Sequence, residues 1–278
     1  MTEGRQRSAA AAIFRSRGKP RQMKDDLRML ETPSGIRFGL LGEKPSLPAP
    51  TLIVAGSDLE SSLTDPAING VGLSLKEKGI LCIALDVPCH GAAQRKGERF
   101  GLDGWRDRLE QNENFVAAFT EDVSSVLDHL IEAGHCDPSR IAMAGTSRGG
   151  FMGFHAMAVD ERIRWGAAFA PLVELPVLEE LRGLEDHELT RRLALTGIAG
   201  KFAGRPIWIC IGNNDERVGV DRVIAFTRKV VGSSLGQSKP AAIEIHVMPS
   251  EGHYTHDTAH EEAAIWLSDK LGQAQAGG

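Results

Sequence analysis

Apolar and polar positions alternate in blocks along this chain of 278 residues. Short, nearly continuous apolar runs recur, and glycine or polar residues follow them. Such runs are typical of strands that are buried on both faces of a parallel sheet. The pattern predicts six of these strands, at 51–55, 80–85, 141–144, 165–170, 206–211 and 243–248.

Longer stretches between these runs have apolar residues at helical spacing. They predict helices at 67–78, 115–133, 151–159, 221–231 and 258–271. Near the start, 27–31 and 36–41 flank Pro33 and Gly35, which predicts a hairpin. The alternation indicates an α/β fold: a mostly parallel eight-stranded sheet with helices on both faces, formed by 25–278 as a single domain.

Three segments are less regular. Residues 1–24 carry seven basic side chains against Glu3 alone, which predicts a flexible, solvated arm rather than a partner-binding element. Residues 92–114 are polar and are predicted to be irregular, with Trp105 isolated among charges. Residues 174–204 include a charged amphipathic stretch and are predicted to form a small helical cap inserted before the next strand.

Composition narrows the classes of partner. A net charge of −5 gives no reason to expect a nucleic acid or an anionic membrane, and no apolar run approaches the roughly 18 residues of a membrane span. The first residues do not fit a signal peptide. The four cysteines are scattered without a C-x-x-C pair, so a reduced, cytoplasmic protein is expected. A homodimer is left open.

The segment most suggestive of chemistry is 145–150, Gly-Thr-Ser-Arg-Gly-Gly, between a predicted strand and a predicted helix. A serine between glycines at a sharp strand-to-helix turn can present its hydroxyl to a substrate. Chance alone can nearly produce this pattern in a glycine-rich chain. The interpretation of Ser147 as a nucleophile therefore depends on partners elsewhere.

Those partners are predicted at the carboxyl ends of later strands, where open α/β sheets bind ligands. A serine hydroxyl needs a neighbouring base, and His253 follows the last predicted strand. Asp215 follows the strand before it and could orient the imidazole. Glu216 and Asp221 are alternatives, but the spacing to Val218 favours Asp215.

The order Ser, Asp, His after such a turn resembles the α/β-hydrolase fold. More narrowly, 145–150, the Gly-Asn-Asn-Asp-Glu-Arg-Val segment at 212–218 and Glu-Gly-His at 251–253 resemble dienelactone-hydrolase-like and prolyl-oligopeptidase-type esterases. Residues 86–91 are similar to the Asp-x-Pro-x-His-Gly loop after the fourth strand of that fold. The resemblance covers about 27–271 and implies catalysis by Ser147, Asp215 and His253.

The fold also implies an oxyanion hole, made by the backbone N–H of Arg148 and one N–H from the loop after 51–55. Ser57 is the first choice and Asp58 the second, because the chain lacks the His-Gly or Gly-Gly run common there. Asp58, Cys89 and Trp105 are candidates for the substrate pocket.

The resulting hypothesis is a serine hydrolase, free of cofactors, that cleaves a small-to-medium carboxylic ester or thioester through an acyl-enzyme. Serine rather than cysteine at 147 favours an ordinary ester over a dienelactone. The alternatives are an acylaminoacyl or oligopeptidase-like peptidase and an inactive ligand-binding protein. The peptidase is less favoured because the oligopeptidases of this type carry a large additional domain, which we do not expect here.

Other side chains are open to more than one interpretation. His90 is expected to form structural hydrogen bonds in its loop. The side chain of Arg148 could attract an anionic acyl group or point away into the protein. His253, His256 and His260 suggest a metal, but neighbouring acids suit a solvated first helical turn, so no metal is predicted.

Overall fold

A computed structural model describes residues 26–43, 45–255 and 258–273. The basic arm predicted at 1–24 and His256 lie outside these ranges. None of the helices within the ranges is long and apolar enough to span a bilayer.

Eight strands form one sheet in the order β1-β2-β4-β3-β5-β6-β7-β8. The first pair, β1 with β2, and the pair of β2 with β4 are antiparallel, and the remaining pairs are parallel. The predicted eight-stranded, mostly parallel sheet is confirmed. The strands are β1 Leu27–Glu31, β2 Arg37–Leu41, β3 Ala49–Ala55, β4 Leu81–Ala84, β5 Cys136–Thr146, β6 Ile163–Phe169, β7 Ile207–Gly212 and β8 Ile243–Met248.

Eight α-helices are described around this sheet. They are α1 Leu59–Thr64, α2 Pro66–Lys76, α3 Gly101–Glu110, α4 Phe115–Glu132, α5 Arg148–Val159, α6 Glu188–Arg192, α7 Val220–Gly236 and α8 Ala259–Gln273. The segment 174–204 contains α6 and three short 3-10 helices, Leu175–Val177, Glu179–Leu181 and Leu195–Phe202. Its action as a cap stays a prediction.

The core has two parts, one on each face of the sheet. Buried residues of α1, α2 and α8 pack on one face, as Leu63, Val71 and Leu267 do. On the other face, α3, α4, α5, α7 and the 174–204 segment contribute, with Phe154 among the fully buried side chains. Continuous apolar strands are the consequence, since both faces of the central strands are covered.

Three segments differ from the prediction. Helix α1 follows β3 directly and is too short to show a clear period in the sequence. Helix α3 lies within the segment predicted to be irregular, because Leu102, Trp105 and Leu109 form a buried stripe among many charges. Helix α7 continues to Gly236, beyond the end predicted at residue 231.

Helix α5 is attached to the 174–204 segment through a buried histidine. His155 Nε2 lies 2.9 Å from the carbonyl oxygen of Leu193, which requires the nitrogen to donate. Its ring meets Phe151 edge-on. Burial lowers the pKa of His155 to about 4, although the bond to Leu193 acts in the opposite direction. The imidazole is therefore neutral in the folded protein at neutral pH.

This burial predicts a pH-dependent stability term. An unfolded histidine takes up a proton below pH about 6.5, whereas folded His155 does so only near pH 4. The contribution is complete above pH 6.5 and is lost as the pH falls towards 4, up to about 3 kcal/mol. His155→Gln keeps a donor for Leu193 but cannot titrate, so we expect its free energy of unfolding to fall less over this window.

Urea denaturation at several pH values between 7.5 and 4 measures this difference. His187→Gln serves as the control, because His187 is a partly exposed histidine of the 174–204 segment. Its stability should follow that of the wild type over the same pH range. Parallel curves for wild type and His155→Gln would contradict the expectation.

Candidate active site

Ser147 stands at a sharp turn between β5 and α5. Its backbone has φ 54° and ψ −117°, a conformation that costs a non-glycine residue free energy. Hydrogen bonds hold the turn: the Ser147 N–H donates to the Phe169 carbonyl (2.8 Å), and the Ser147 carbonyl accepts from Phe151 (3.2 Å) and Leu172 (3.0 Å). The elbow is therefore fixed by its neighbours, and Ser147 is partly exposed.

Glycine is required on both sides of this serine. A Cβ built at Gly149 would lie 2.0 Å from the carbonyl oxygen of Ala55, the last residue of β3. A Cβ at Gly145 would lie 2.5 Å from the backbone of Gly149. Real Cβ atoms do not approach backbone so closely, so α5 reaches β3 only because these residues have no side chain.

The structure brings Asp215 and His253 together. His253 Nδ1 lies 2.8 Å from Asp215 Oδ2. The second carboxylate oxygen accepts the backbone N–H groups of Arg217 and Val218, each at 3.1 Å. Asp215 is buried, and its loop fixes its direction. In the tautomer with a proton on Nδ1, His253 Nε2 is left free to act as a base.

Glu216 and Asp221, the alternatives to Asp215, are exposed. Ser147, Asp215 and His253 follow β5, β7 and β8, whose carboxyl ends lie at the same edge of the sheet. The three residues thus lie at one edge of the sheet, and Asp215 and His253 are joined by a hydrogen bond.

Ser57 and Asp58 differ in the hydrogen bonds of their backbone. The Ser57 N–H already donates to Ser62 Oγ at 3.1 Å. Asp58 begins α1, and its carboxylate accepts the N–H of Ser61 at 2.9 Å. Burial acts to raise the pKa of Asp58, but the bonds from Ser61 hold it below its usual value. Among the described residues, the backbone N–H of Asp58 has no hydrogen-bond acceptor other than the carboxylate of the same residue. The geometry favours Asp58, the second choice, as partner of the Arg148 N–H.

Asp86 connects the start of α1 with the 86–91 loop through hydrogen bonds. The sequence had not indicated this role. Its carboxylate accepts the N–H of Leu59 at 2.8 Å and that of Ala92 at 3.1 Å. The N–H of Val87 donates to the Ser57 carbonyl at 2.9 Å. The only sequence signal for these hydrogen bonds is the position of Asp86 in the 86–91 motif.

Cys89 and Trp105, predicted as pocket residues, have no exposed surface. Trp105 Nε1 donates to the Pro88 carbonyl at 2.7 Å, and its ring packs against Phe115. A pocket wall needs surface that a ligand can reach, so neither residue lines an open pocket in this structure. Their placement in the core corrects the expectation that Trp105 is isolated among charges.

His90 is buried, with Nδ1 2.9 Å from the Pro88 carbonyl. Burial, and then the charge of Arg148, hold the pKa of His90 below its ordinary value. The ring meets Phe100, which is largely exposed, edge-on. These contacts agree with a structural role in the loop.

No group of three metal-binding side chains occurs in the part of the chain that the structure describes. His260 lies against the ring of Phe169, with centroids 4.1 Å apart. His256, the third histidine of the metal interpretation, is outside the described ranges.

Two charged residues near the elbow were not singled out by the sequence analysis. Arg217, two positions after Asp215, pairs with Glu180 of the 174–204 segment at 2.7 Å. Nothing in the sequence signals that Glu180 lies there, since it is one acid among many in a charged stretch.

The sheet topology and the serine elbow define the class of protein, a serine hydrolase of the α/β-hydrolase superfamily. The prolyl oligopeptidase family model matches residues 75–273, more than half of the chain. The chain therefore belongs to the prolyl oligopeptidase family, and the resemblance stated from its motifs is confirmed.

Individual relatives are distant. The chain is 24% identical over 157 residues to "Putative hydrolase YtaP" of Bacillus subtilis (strain 168), covering 54% of this chain and 52% of that protein. The match thus spans about half the length of this curated relative. Dipeptidyl peptidase 4 of Porphyromonas gingivalis is similar in structure, with a TM-score of 0.65, 16% identity, and coverage of 87% of this chain and 35% of that one. A cold-adapted esterase from an Arctic intertidal metagenomic library has a TM-score of 0.61 and 19% identity, covering 88% of this chain and 93% of its own.

The crowded elbow yields a test. Gly149→Ala forces its Cβ against the Ala55 carbonyl, so we expect the free energy of unfolding to fall by about 1–3 kcal/mol or more. Gly232→Ala is the matched control, because Gly232 lies inside α7 with no atom within 4 Å of its Cβ position. That change should raise stability by about 0.5–1 kcal/mol. Urea denaturation measures both, and equal midpoints for Gly149→Ala and wild type would refute the close approach.

Proposed function

We propose that this protein is a serine esterase that cleaves a carboxylic ester or thioester with a small-to-medium acyl group. The observation that carries the proposal is the 2.8 Å hydrogen bond between His253 Nδ1 and Asp215 Oδ2, at the sheet edge where Ser147 occupies a strained elbow. An oriented imidazole beside such a serine is what acyl transfer requires.

The reaction follows from these roles. His253 Nε2 accepts the Ser147 proton as Oγ attacks the ester carbonyl carbon. The backbone N–H groups of Arg148 and Asp58 hold the oxyanion, and Asp215 stabilises the imidazolium. His253 then gives the proton to the leaving alcohol or thiol. Water, deprotonated by His253, then attacks the acyl carbon, and the acid leaves as His253 returns that proton to Ser147 Oγ.

Esterases and peptidases both occur among the similar structures. The similar esterase is matched over nearly its whole length by this chain, and the similar dipeptidyl peptidase over about a third of its length. A peptidase is the second candidate, and the family supports it. Aminoacyl p-nitroanilides and p-nitrophenyl butyrate, compared at equal concentration, distinguish the two. Faster turnover of the anilides would overturn the esterase assignment.

Labelling by a fluorophosphonate probe tests the nucleophile. Because the probe reacts only with an activated serine, the wild type should be labelled and Ser147→Ala should not. Ser139→Ala, at an exposed serine near the start of β5, is the control and should be labelled normally. A wild type that is neither labelled nor able to hydrolyse p-nitrophenyl butyrate would sink the proposal in favour of an inactive ligand-binding protein.

Asp215→Asn tests the orienting acid. The amide cannot hold His253 in the required tautomer, so kcat for p-nitrophenyl butyrate should fall by about four orders of magnitude. Glu216→Gln, at the exposed neighbouring acid, is the matched control and should stay within about threefold of wild type. A large loss in the control and a small one in Asp215→Asn would reassign the acid.

A further inference from the structure

Among the described residues, the side chain of Arg148, the residue after the proposed nucleophile, has no hydrogen-bond or ion-pair partner. Its Nε atom is buried and has no hydrogen-bond partner among the described residues. Within the same ranges, no carboxylate lies within ion-pair distance of its guanidinium. A buried donor without an acceptor costs free energy, more so when it is charged.

The acids around Arg148 are engaged elsewhere. The charges of Asp58 and Glu180 act on Arg148, but the Asp58 carboxylate caps α1 through Ser61. Glu180 Oε1 pairs with Arg217 at 2.7 Å. The Arg217 charge also acts on Arg148, so two guanidinium groups lie near the single Glu180 carboxylate, which already pairs with Arg217.

A carboxylate on a ligand would give the Arg148 guanidinium the hydrogen-bond acceptor that it lacks among the described residues. Guanidinium presents a planar fork of N–H donors that matches the two oxygens of a carboxylate. In the proposed reaction the acyl group stays on Ser147 Oγ, one residue before Arg148 in the chain, from the attack on the ester until the acyl-enzyme is hydrolysed.

We propose that the Arg148 side chain binds a carboxylate carried by the acyl group of the substrate, so that the preferred substrates are monoesters of small dicarboxylic acids. The inference rests on the proposed esterase function. It assigns the side chain a role separate from that of the Arg148 backbone N–H, which any residue at this position supplies.

A structural role for Arg148 is the rival explanation. Glu180 Oε2 is also buried and unpaired among the described residues, so Arg148 and Glu180 could act as a latch for the 174–204 segment. Arg106 already binds that segment, through the carbonyls of Glu180 (3.1 Å) and Arg182 (2.9 Å). A latch would make Glu180→Gln behave like Arg148→Met, whereas a carboxylate site would not.

The test uses three aryl esters, of which the first two are p-nitrophenyl esters. The hydrogen succinate ester carries the charge on the acyl side, the 4-methylpentanoate ester is its neutral isostere, and 4-carboxyphenyl butyrate carries the charge on the alcohol side. We expect the ratio of kcat/KM for succinate over 4-methylpentanoate to fall about 10- to 100-fold in Arg148→Met. Arg148→Lys, which keeps the charge without the fork, should give an intermediate ratio.

Arg164→Met removes an equal charge near the start of β6, away from the elbow, and should leave the ratio unchanged. An unchanged ratio in Arg148→Met, the same loss in Glu180→Gln, or a loss confined to 4-carboxyphenyl butyrate would each overturn the proposal.

A binding measurement separates this inference from the esterase proposal. Calorimetric titration of Ser147→Ala with monomethyl succinate and with methyl 4-methylpentanoate needs no turnover. We expect tighter binding of the anionic ester, by about tenfold or more, and loss of that preference in Ser147→Ala/Arg148→Met. Equal binding of the two esters would overturn the carboxylate site even if the wild type is an active esterase. Anion-selective binding with no turnover of any ester would instead leave the site standing and the esterase function refuted.

Discussion

The close approach of α5 to β3 is the constraint on which the rest of the site depends. The Gly149 backbone touches the Ala55 carbonyl at a distance that leaves no room for a Cβ. With the helix this close, the chain must turn from β5 into α5 within one residue, and Ser147 takes the strained conformation. Its hydrogen bond to Phe169 ties the turn to the end of β6. The position of the hydroxyl is thus a consequence of backbone contact rather than of side-chain packing.

Hydrogen bonds of two carboxylates hold much of the frame around the elbow. Asp86 joins the start of α1 to the 86–91 loop, and Asp215 uses both carboxylate oxygens, one on His253 and one on its own loop. Groups held in this way need little rearrangement during a reaction, which is what preorganised electrostatic stabilisation requires. Within the described part of the chain, Arg148 Nε has no such partner, and neither have His90 Nε2 and Glu180 Oε2.

Much of the fold could be predicted from sequence, for a physical reason. Strands covered on both faces must be apolar throughout, so β3 to β7 are visible as continuous runs, and the polar residues that follow them mark one sheet edge. Asp215 and His253, which share a hydrogen bond in the structure, were predicted by that logic. Prediction of the 92–114 segment failed because tertiary contacts decide there: Trp105 is buried with Leu102 and Leu109 on a helix rich in charged residues. The Ser57 N–H donates to Ser62, five residues away, a contact that the sequence did not indicate, and the register of the oxyanion loop stays a prediction.

The residues around the elbow also divide into those placed by the sheet and those placed by other tertiary contacts. Ser147, Asp215 and His253 follow strands whose order the sheet fixes, so their place at one sheet edge is encoded by topology. Glu180 of the 174–204 segment meets Arg217 of the loop after β7, and His155 holds the same segment to α5 through Leu193. Arg106 and buried apolar residues of the segment also hold it in place. A substitution at Glu180 changes the charge beside Arg217 without touching the hydrogen bonds of the elbow, and changes of this kind are how one scaffold supports different substrates.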